Sequence, residues 1–478
     1  MNKISFFLLL LLAPWAVADG LPDLGEASQV TLSPQMERRI GESIMRDVRY
    51  RDPTYVDDAE INAYINRLGT ALGAASPEPS YAFEFFVVHD ATLNAFAMPG
   101  GFIGVHTGLL LAAQSESELA GVLAHEISHV TQHHIARMLG KQSDAQLTAL
   151  VAFAVAILAG RSNPDIASAA MVTGQAASIQ TQLNYSRDFE READRIGLST
   201  LERSGFDVRG MGTFFERLQK QSRLYENNAP GYLRSHPLTT ERIADMDNRI
   251  QLLRYKQVPD SLEFQFVRAK LKAQDNSPRE AVTEFETQLR DKKYASRAAA
   301  HYGLARAQLR AKDYAAAERE VAVLRELKVA SPMIEVLAAD IKRAQGDIAG
   351  ALRIYREARQ RYQLDIAIIY AQIETLLEDK QPQEALKTAN AALQFYPSDA
   401  TLHGLEARSY AALGKRLQQH RAQAELYAQQ GLLTEAIEQL QLAQKAPDGD
   451  FFEHSRVDAR LRELRVRDAE EKKEKKEK

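Results

Sequence analysis

Three residues with the spacing of a metal-binding catalytic centre stand in the segment GVLAHEISHVTQHHIARM, from Gly121 to Met138. His125, Glu126 and His129 form the pattern H-E-x-x-H. Positions four apart on an α-helix share one face, so both imidazoles can reach a single zinc ion. Glu126 would lie beside the metal, where it could take a proton from the attacking water and deliver it to the leaving amine. The alternative is a helix whose histidines have this spacing by chance, because five-residue patterns do recur by accident.

Two more histidines, His133 and His134, follow on the same predicted helix. Eight helical residues span ~12 Å, whereas zinc–nitrogen bonds are ~2.0–2.1 Å long. His125 and His133 therefore cannot bind one metal ion from a straight helix. The metzincin pattern is not met either, because it needs glycine where Gln132 stands and histidine where Ile135 stands. We expect His133 and His134 to lie on the helix surface or to support the metal ligands from behind.

The third metal ligand must come from another part of the chain. The best candidate is the segment YSRDFEREADRIG, from Tyr185 to Gly197, in which Glu190 and Asp194 are four residues apart on a predicted helix. One carboxylate can bind zinc while the other accepts a hydrogen bond from a liganding histidine and fixes its tautomer. The spacing leaves open which carboxylate does which. Glu192 points to another helix face and is expected to be solvated.

His236 and Arg242 lie in a segment that begins Ser235-His236-Pro237. A polar loop residue beside a site is a common sign of function. His236 could hydrogen-bond the tetrahedral intermediate, or it could take the fourth position on the zinc and keep the enzyme inactive until a substrate or partner displaces it. It could also be an ordinary surface histidine before a helix-starting proline. Arg242 is a candidate for stabilising the oxyanion.

The elements that must position these residues follow from local sequence patterns. An aromatic and β-branched run predicts a strand over residues 81–88. Residues 94–110 predict two short extended pieces joined by Pro99-Gly100-Gly101. The capping-box sequence Ser115-Glu116-Ser117-Glu118 predicts the start of one long helix, which carries H-E-x-x-H and ends near Leu139.

The second half of the chain contains a repeat. Ala317, Ala351 and Ala385 occupy matching positions at equal intervals, and Ala281 is a weaker match that precedes Ala317 by a slightly longer interval. The interval equals the helix-turn-helix period of roughly 34 residues that is typical of tetratricopeptide repeats. The next match, Ala436, follows one and a half periods after Ala385. A step of an odd number of helices would explain that interval, so we expect an irregular C-terminal end to the array. A generic α-helical domain is the alternative.

Composition divides the chain into regions. At 478 residues it is too long for one ordinary core, and a net charge of −4 gives no sign of a nucleic-acid-binding surface. The change to a helical composition near Val258-Pro259-Asp260 predicts a catalytic domain over residues 19–258 and a repeat domain over residues 262–462. The remaining charged tail, residues 463–478, is expected to be disordered.

Residues 1–18 predict a secretory signal peptide cleaved after Ala18. Lys3 supplies the positive charge, Ile4 to Leu12 are apolar, and Ala16-Val17-Ala18 matches the cleavage pattern. The apolar run is too short for a membrane span of ~20 residues; an uncleaved anchor is the alternative. The chain has no cysteine, which excludes a lipoprotein anchor, disulfides and thiolate metal sites. We expect a periplasmic protein.

The order of these motifs resembles that of the gluzincin-type peptidases related to HtpX and the CaaX prenyl protease. NAFAMPGGFIGVHTGLL precedes HEISH, which is followed by SRDFEREAD and then by SHPLTTERI. The resemblance covers roughly residues 33–250 and implies an α+β zincin-like metallopeptidase domain, here followed by an all-α tetratricopeptide-repeat solenoid. It implies one Zn²⁺ per chain, with these ligands and supporting residues: His125, His129 and Glu190 as ligands, Glu126 as general base and Asp194 as the carboxylate behind a ligand.

The same resemblance implies where an extended substrate lies. It places the substrate along an edge strand by β-augmentation. The residues that it assigns to substrate binding are Asn94, Phe102, Ile103, Gly104 and Val105.

A signal peptide, this catalytic domain and a repeat array together resemble a periplasmic subgroup of the family. That resemblance implies an endopeptidase that degrades stalled or misassembled outer-membrane β-barrel precursor proteins, assists their assembly and contacts the barrel-assembly machinery. No integral membrane span and no nucleic-acid partner are expected. One alternative is a chaperone or adaptor that acts through its repeats and has a latent protease site. Another is a zinc hydrolase with a non-peptide substrate.

An apolar segment from Leu147 to Gly160 lies between the predicted ligands. It is shorter than the ~20 residues that a membrane span requires. We expect it to pack as part of a helical hairpin over the active site. A mobile lid, or a surface that contacts a membrane or a partner, is the alternative.

Overall fold

The computed structural model describes most of both predicted domains, namely residues 33–139, 187–224, 232–233, 236–275 and 277–476. The predictions for the signal peptide and for the apolar segment from Leu147 to Gly160 lie outside the described residues.

The first part of the chain combines eight described helices with a small sheet. Its elements, in chain order, are α1 (Pro34–Arg51), α2 (Ala59–Ala74), β1 (Glu84–Val88), β2 (Ala95–Met98), β3 (Phe102–His106), α3 (Thr107–Ala112), α4 (Glu116–Thr131), α5 (His134–Leu139), α6 (Arg187–Arg203), α7 (Arg209–Leu224) and α8 (Thr240–Leu252).

The sheet has the strand order β1-β3-β2. β3 runs parallel to β1 and antiparallel to β2. The prediction that Phe102 to Val105 form an edge strand is therefore wrong, because these residues lie in the central strand. All five residues of β3 are buried, as a strand that is paired on both sides and covered by helices requires. In the sheet formed by the described residues, β2 is the edge strand on the side away from β1.

The helix that carries H-E-x-x-H is shorter than the sequence suggests. α4 begins after its N-cap Ser115, whose hydroxyl accepts a hydrogen bond from the Glu118 N–H, as predicted, but it ends at Thr131. His133 has a φ of 50°, a left-handed conformation that interrupts a right-handed helix. α5 then begins at His134. The prediction of one continuous helix to Leu139 is wrong for this reason.

α4 lies in the centre of the domain, and each of its sixteen residues is buried. α6 packs directly against it. A Cβ atom on Gly197 of α6 would lie only 3.1 Å from the backbone nitrogen of His125 and 3.2 Å from the carbonyl carbon of Ala124. Glycine at this position therefore lets the backbones of the two helices come close enough for short carboxylates on α6 to reach the histidines on α4.

The second part of the chain is an array of antiparallel helices. Its elements are α9 (Leu262–Asp275), α10 (Pro278–Arg290), α11 (Arg297–Arg310), α12 (Tyr314–Glu326), α13 (Pro332–Ala344), α14 (Ile348–Arg361), α15 (Ile366–Glu378), α16 (Pro382–Leu393), α17 (Ala400–Ala412), α18 (Arg416–Gln429), α19 (Leu433–Gln444) and α20 (Phe451–Lys476).

The repeated alanines mark the close contacts between these helices. Ala317, Ala351 and Ala385 lie in α12, α14 and α16, one in every second helix, and each is 0% exposed. Ala436 is equally buried and lies in α19, three helices after α16. The spacing of one and a half periods thus corresponds to a step of three helices, the odd number that explains the interval.

The charged C-terminal tail is helical as far as Lys476. The prediction of disorder from residue 463 is wrong over these residues. Val457, Leu461 and Leu464 are 0–2% exposed and anchor one face of α20 on the array. Ion pairs four residues apart, such as Arg467–Glu471 and Asp468–Lys472, support the helix beyond that anchor.

The two parts of the chain share one hydrophobic core. It extends from Ile61 in α2 through the sheet and α4 to Ile341 in α13. Residues 254–261, between α8 and α9, belong to no helix or strand and include the predicted domain boundary. The division into domains remains a prediction, and the shared core means that the repeat array supports the catalytic domain directly. None of the helices in the described part of the chain has the length and apolar character needed to cross a membrane.

Two polar contacts fasten the array to the first part of the chain. Glu116, the first residue of α4, accepts hydrogen bonds from the N–H and the hydroxyl of Ser261 at 2.7 and 2.8 Å. Deeper in the core, the Lys270 ammonium of α9 binds Asp58 and Glu60 at the start of α2. The first turn of the helix that carries His125 is therefore held by the segment that leads into the array.

Candidate metal centre

Four buried side chains bring possible metal-ligating atoms together. His125 and His129 come from α4, Glu190 comes from α6, and His236 comes from the segment before α8. One nitrogen or oxygen atom of each lies within 4.8 Å of those of the other three. The sequence placed these residues in three separate segments, and the fold brings all three segments to one point.

The distances show how the ligand atoms converge. Nε2 of His125 and Nε2 of His129 lie 3.0 Å apart. The Glu190 carboxylate approaches each of these nitrogens at 3.5 Å. Two imidazole nitrogens and a carboxylate oxygen are the ligand set of many catalytic zinc sites. The residues therefore fit the zinc ion that the sequence predicts.

Glu126 lies beside this cluster and is 0% exposed. Neither of its carboxylate oxygens completes a hydrogen bond, although the N–H of Ala97 in β2 faces the carboxylate and favours its charged form. Burial outweighs that effect and raises the pKa of Glu126 above its ordinary value. A buried carboxylate with free acceptor oxygens and a raised pKa has the properties of a general base.

Asp194 and Arg242 form the wall behind His125. Oδ1 of Asp194 lies 3.0 Å from Nδ1 of His125. The Arg242 guanidinium binds both oxygens of Asp194 at 2.7 Å. Burial disfavours a charge on Asp194, but the hydrogen bonds from Arg242 and the contact with His125 outweigh it and lower the Asp194 pKa.

The oxyanion role predicted for Arg242 does not fit this arrangement. Its guanidinium donates to Asp194 and to the carbonyl oxygen of Pro237, and Nη1 lies 2.8 Å from Oε2 of Glu190. Arg242 therefore holds the carboxylates of Glu190 and Asp194, and its guanidinium is engaged with these partners and with Pro237.

His236 is buried, which excludes the interpretation as a surface histidine. Its Nδ1 lies 3.0 Å from Oε1 of Glu190, and its Nε2 lies 3.5 Å from Oε1 of Glu126. The imidazole stacks on the ring of Tyr232 with a centroid distance of 4.6 Å. The Tyr232 N–H donates to the carbonyl oxygen of Leu93, just before β2. Tyr232 is therefore tied to the edge of the sheet, and its ring supports the imidazole of His236.

His133 and His134 have different surroundings. His133 lies near Glu37 and Glu78, away from the metal ligands. His134 is 0% exposed, and its Nδ1 lies 2.8 Å from Nδ1 of His129. Of the two predicted positions, the helix surface and the space behind a ligand, His134 occupies the second.

Glu192 is not simply a solvated charge, and that prediction is wrong. Its Oε2 lies 3.2 Å from Nε2 of His134 and 2.9 Å from Nη1 of Arg137. The face of α6 that carries Glu192 meets α5, because α5 turns away from the axis of α4 after His133.

Because β3 is the central strand, the predicted substrate-binding residues do not all lie at the sheet edge. Phe102, Ile103 and Val105 are interior residues of the sheet, and Gly104 lies under the rings of Phe96 and Phe86. Asn94 immediately precedes β2, and its buried Oδ1 has no hydrogen-bond partner in the described structure. Of the predicted set, only Asn94 is therefore placed to meet a substrate at the sheet edge.

The backbone groups at that edge belong to β2. The His106 N–H donates to the carbonyl oxygen of Asn94 at 3.0 Å, so these two residues form a hydrogen-bonded pair. Such pairs alternate with non-bonded pairs in antiparallel strands. The backbone groups of Ala95 and Ala97 therefore point away from β3, toward the side on which Glu126 lies.

The charge states of the ligands are set by their neighbours. Burial disfavours a charge on His125, but Asp194 and Glu190 outweigh it and raise its pKa to about 9. Burial together with His125 lowers the pKa of His129 well below its ordinary value. Burial would raise the pKa of Glu190, but His236 and His125 lower it well below the ordinary range.

Sequence reasoning did not identify Tyr232 or Phe215, although both shape the site. Tyr232 stacks on His236, and the ring of Phe215 meets the edge of the His125 ring at a centroid distance of 6.1 Å. The only available signal was the position of Tyr232, four residues before a candidate histidine.

Comparison with known proteins gives matches over both parts of the chain. The profile of peptidase family M48 matches residues 56–250, and the tetratricopeptide repeat profile matches residues 264–326 and 336–400. The beta-barrel assembly-enhancing protease of Escherichia coli O157:H7 is 34% identical over 455 residues, covering 94% of this chain and 92% of that protein. The putative beta-barrel assembly-enhancing protease of Vibrio cholerae is 39% identical over 251 residues, covering 52% of this chain and 51% of that protein.

A more distant similarity covers less than half of the chain. The mitochondrial metalloendopeptidase OMA1 of Arabidopsis thaliana is 30% identical over 203 residues, covering 42% of this chain and 39% of that protein. Together the matches confirm the predicted fold class, an α+β metallopeptidase domain followed by an all-α array of tetratricopeptide repeats.

Proposed function

Because this metalloprotease belongs to the β-barrel assembly-enhancing proteases of peptidase family M48, we propose that it is a zinc-dependent endopeptidase of the periplasm. Its proposed substrates are stalled or misassembled outer-membrane β-barrel proteins, which it degrades and whose assembly it assists. The observation that carries the proposal is the buried convergence of His125, His129 and Glu190, with Glu126 beside them. The client class follows from the names of the relatives.

The residues of the cluster have separate roles in this proposal. Zn²⁺ held by His125, His129 and Glu190 would act as a Lewis acid that polarises the scissile carbonyl. Glu126 would accept the proton of the attacking water and pass it to the leaving nitrogen. Asp194, held by Arg242, would keep the His125 ring in the orientation that directs Nε2 into the cluster.

A client segment would bind in extended form along the outer side of β2. The carbonyl and N–H groups of Ala95 and the carbonyl group of Ala97 would pair with its backbone, as in β-augmentation. Asn94 Oδ1 would accept one further N–H from the substrate, since it is a buried acceptor that the described structure leaves unsatisfied. This arrangement favours an unfolded polypeptide over a small non-peptide substrate.

Recruitment is the proposed role of the repeat array. Stacked helix pairs form extended surfaces that bind protein segments, and the expected partners are β-barrel precursors and the barrel-assembly machinery. Export to the periplasm is supported by the signal-peptide pattern that ends at Ala18.

Clearance of a stalled barrel protein by wild type and by Glu126→Gln tests whether the chain acts as a peptidase or as a repeat-based chaperone. Glu126→Gln should retain the fold and the metal and lose cleavage by about 10²–10⁴-fold, because only the general base is removed. Glu241→Gln, at a carboxylate on α8 with 76% side-chain exposure, is the matched control and should cleave normally. Equal clearance by wild type and Glu126→Gln would instead favour the chaperone.

A second proposal concerns control of the same site by His236. Its imidazole lies within the 4.8 Å cluster of ligand atoms, which supports a fourth ligand that keeps the enzyme latent. His236→Ala should then raise cleavage of an unfolded client, because the fourth position on the metal becomes available to the attacking water. Loss of cleavage in this variant, with the metal retained, would assign His236 a role in stabilising the intermediate.

A further inference from the structure

His134 has the most unusual position among the polar residues around the cluster. It is 0% exposed, its ring stacks on Phe189 at a centroid distance of 4.5 Å, and its Nδ1 lies 2.8 Å from Nδ1 of His129. On the opposite side of the same ring, Nε2 lies 3.2 Å from Oε2 of Glu192. Arg137 binds that same carboxylate oxygen at 2.9 Å.

The interruption of the helix makes this contact possible. Five residues along an uninterrupted α-helix correspond to a rotation of about 500°, which would direct His134 about 140° away from His129. Because His133 has a φ of 50° and ends α4, α5 takes another direction and brings His134 back beneath His129. The unusual backbone of His133 therefore has a consequence at the metal centre.

The two nitrogens in contact determine where the protons lie. Two Nδ1 atoms 2.8 Å apart need one proton between them, since one nitrogen must donate and the other must accept. His129 directs Nε2 into the cluster, and a histidine that binds metal through Nε2 carries its proton on Nδ1. His129 is then the donor and His134 the acceptor. The proton of the neutral His134 ring lies on Nε2, where it is donated to Glu192.

We propose that His134 is a positioning residue for the metal ligand His129. A chain of hydrogen bonds runs from His129 through His134 to Glu192, whose carboxylate is held by Arg137. It fixes both the tautomer and the ring orientation of His129, as Asp194 does for His125. The two histidine ligands are thus supported in different ways, one by a carboxylate and the other through a neutral imidazole. The inference rests on the proposed zinc site and adds a residue that the H-E-x-x-H pattern does not include.

Substitution of His134 tests this role through zinc affinity, which does not depend on any substrate. His134→Asn keeps an acceptor near the position of Nδ1, and His134→Leu removes it at a similar side-chain size. His134→Leu should raise the zinc dissociation constant by about 10–100-fold, the usual effect of losing such a partner. His134→Asn should remain within about threefold of wild type, on the same scale. Competition with a chromophoric chelator measures both constants.

Two further variants separate positioning from folding. His133→Asn changes the adjacent histidine, tolerates the positive φ and should bind zinc like wild type. The Glu192 side chain is 35% exposed, so Glu192→Leu leaves the buried His134 ring in place but removes the acceptor of its Nε2 proton. This variant should weaken zinc binding. Glu192→Gln keeps an acceptor and should bind zinc like wild type. The visible spectrum of the Co²⁺-substituted proteins reports ligand geometry independently of stability.

The outcomes distinguish this inference from the proposed function. Wild-type zinc affinity in both His134→Leu and Glu192→Leu would overturn the positioning role and leave the zinc site intact. Equal loss in His134→Asn and His134→Leu would also overturn it, because the acceptor would then be irrelevant. Failure of the wild-type chain to bind zinc would overturn both.

Discussion

At the scale of single residues, protons and metal compete for His125. Its pKa of about 9 means that it carries a proton in the metal-free site below that pH. His129 and Glu190 carry none there, because the pKa of each is lowered well below its ordinary value. Metal binding must therefore release one proton at neutral pH.

The expected result is a zinc affinity that rises about tenfold per pH unit through neutral pH, as the loss of one proton dictates. The rise should level off near pH 9, where His125 becomes neutral. Chelator competition across this range measures the slope. In Asp194→Asn the His125 pKa falls, so the levelling should occur at lower pH. A pH-independent affinity in the wild type would contradict the charge assignment.

The spacing of residues on a single helix was predictable, and contacts across a helix break were not. His125 and His129 follow from the period of the α-helix, and Glu190 and Asp194 from the same rule. The contacts of His134 and Glu192 depend on the φ of His133. A non-glycine residue takes that conformation only in a particular tertiary setting, so no local pattern indicates it.

At the scale of elements, the site depends on the close approach of α4 and α6. Gly197→Ala adds a Cβ atom 3.1–3.2 Å from the backbone of α4, which should push the helices apart by a few tenths of an ångström. Because the ligands come from both helices, zinc affinity should fall by about tenfold. The overpacking should also lower the free energy of unfolding by about 1–3 kcal/mol. Chelator competition and thermal unfolding measure the two effects.

Gly404→Ala is the matched control for this substitution. The added Cβ in α17 would meet only Leu426 at 3.6 and 3.9 Å, an ordinary contact. Alanine is the better helix former, so this variant should be more stable by about 0.5–1 kcal/mol and bind zinc normally. A similar gain of stability in Gly197→Ala would show that the helices do not require glycine there.

The hairpin of β2 and β3 was predictable from Pro99-Gly100-Gly101, but the strand order was not. The position of β3 in the middle depends on its pairing with β1, in which Glu84 lies opposite Phe102. Long-range pairing of this kind leaves no local signal. The repeat array behaves differently, because each helix contacts near neighbours and the repeat period alone determines the stacking.

At the scale of the whole molecule, a buried ion cluster joins the array to the catalytic domain. Lys270 is 4% exposed and binds Asp58 and Glu60. Lys270→Met removes the ammonium that contacts the buried Glu60 and the partly buried Asp58, so the free energy of unfolding should fall by about 3–5 kcal/mol. Chemical denaturation measures this change.

Lys272→Met, two residues along the same helix, provides the comparison. Lys272 is 37% exposed and pairs with Glu284 on the surface, so its loss should cost less than about 1 kcal/mol. Equal losses of unfolding free energy in the two variants would mean that the contacts of Lys270 with Asp58 and Glu60 add no stability beyond that of a surface ion pair. A larger effect of Lys270→Met would show that the array stabilises the catalytic domain and does more than recruit clients.

Zinc stoichiometry tests the central claim most directly, because every proposed role depends on a metal held by His125, His129 and Glu190. Purified wild type should contain one zinc ion per chain, and Glu190→Gln should lose it while remaining folded. Glu192→Gln, on the same helix and two residues away, should retain the metal. A full complement of zinc in Glu190→Gln would contradict the assignment of the third ligand and the metal centre built on it.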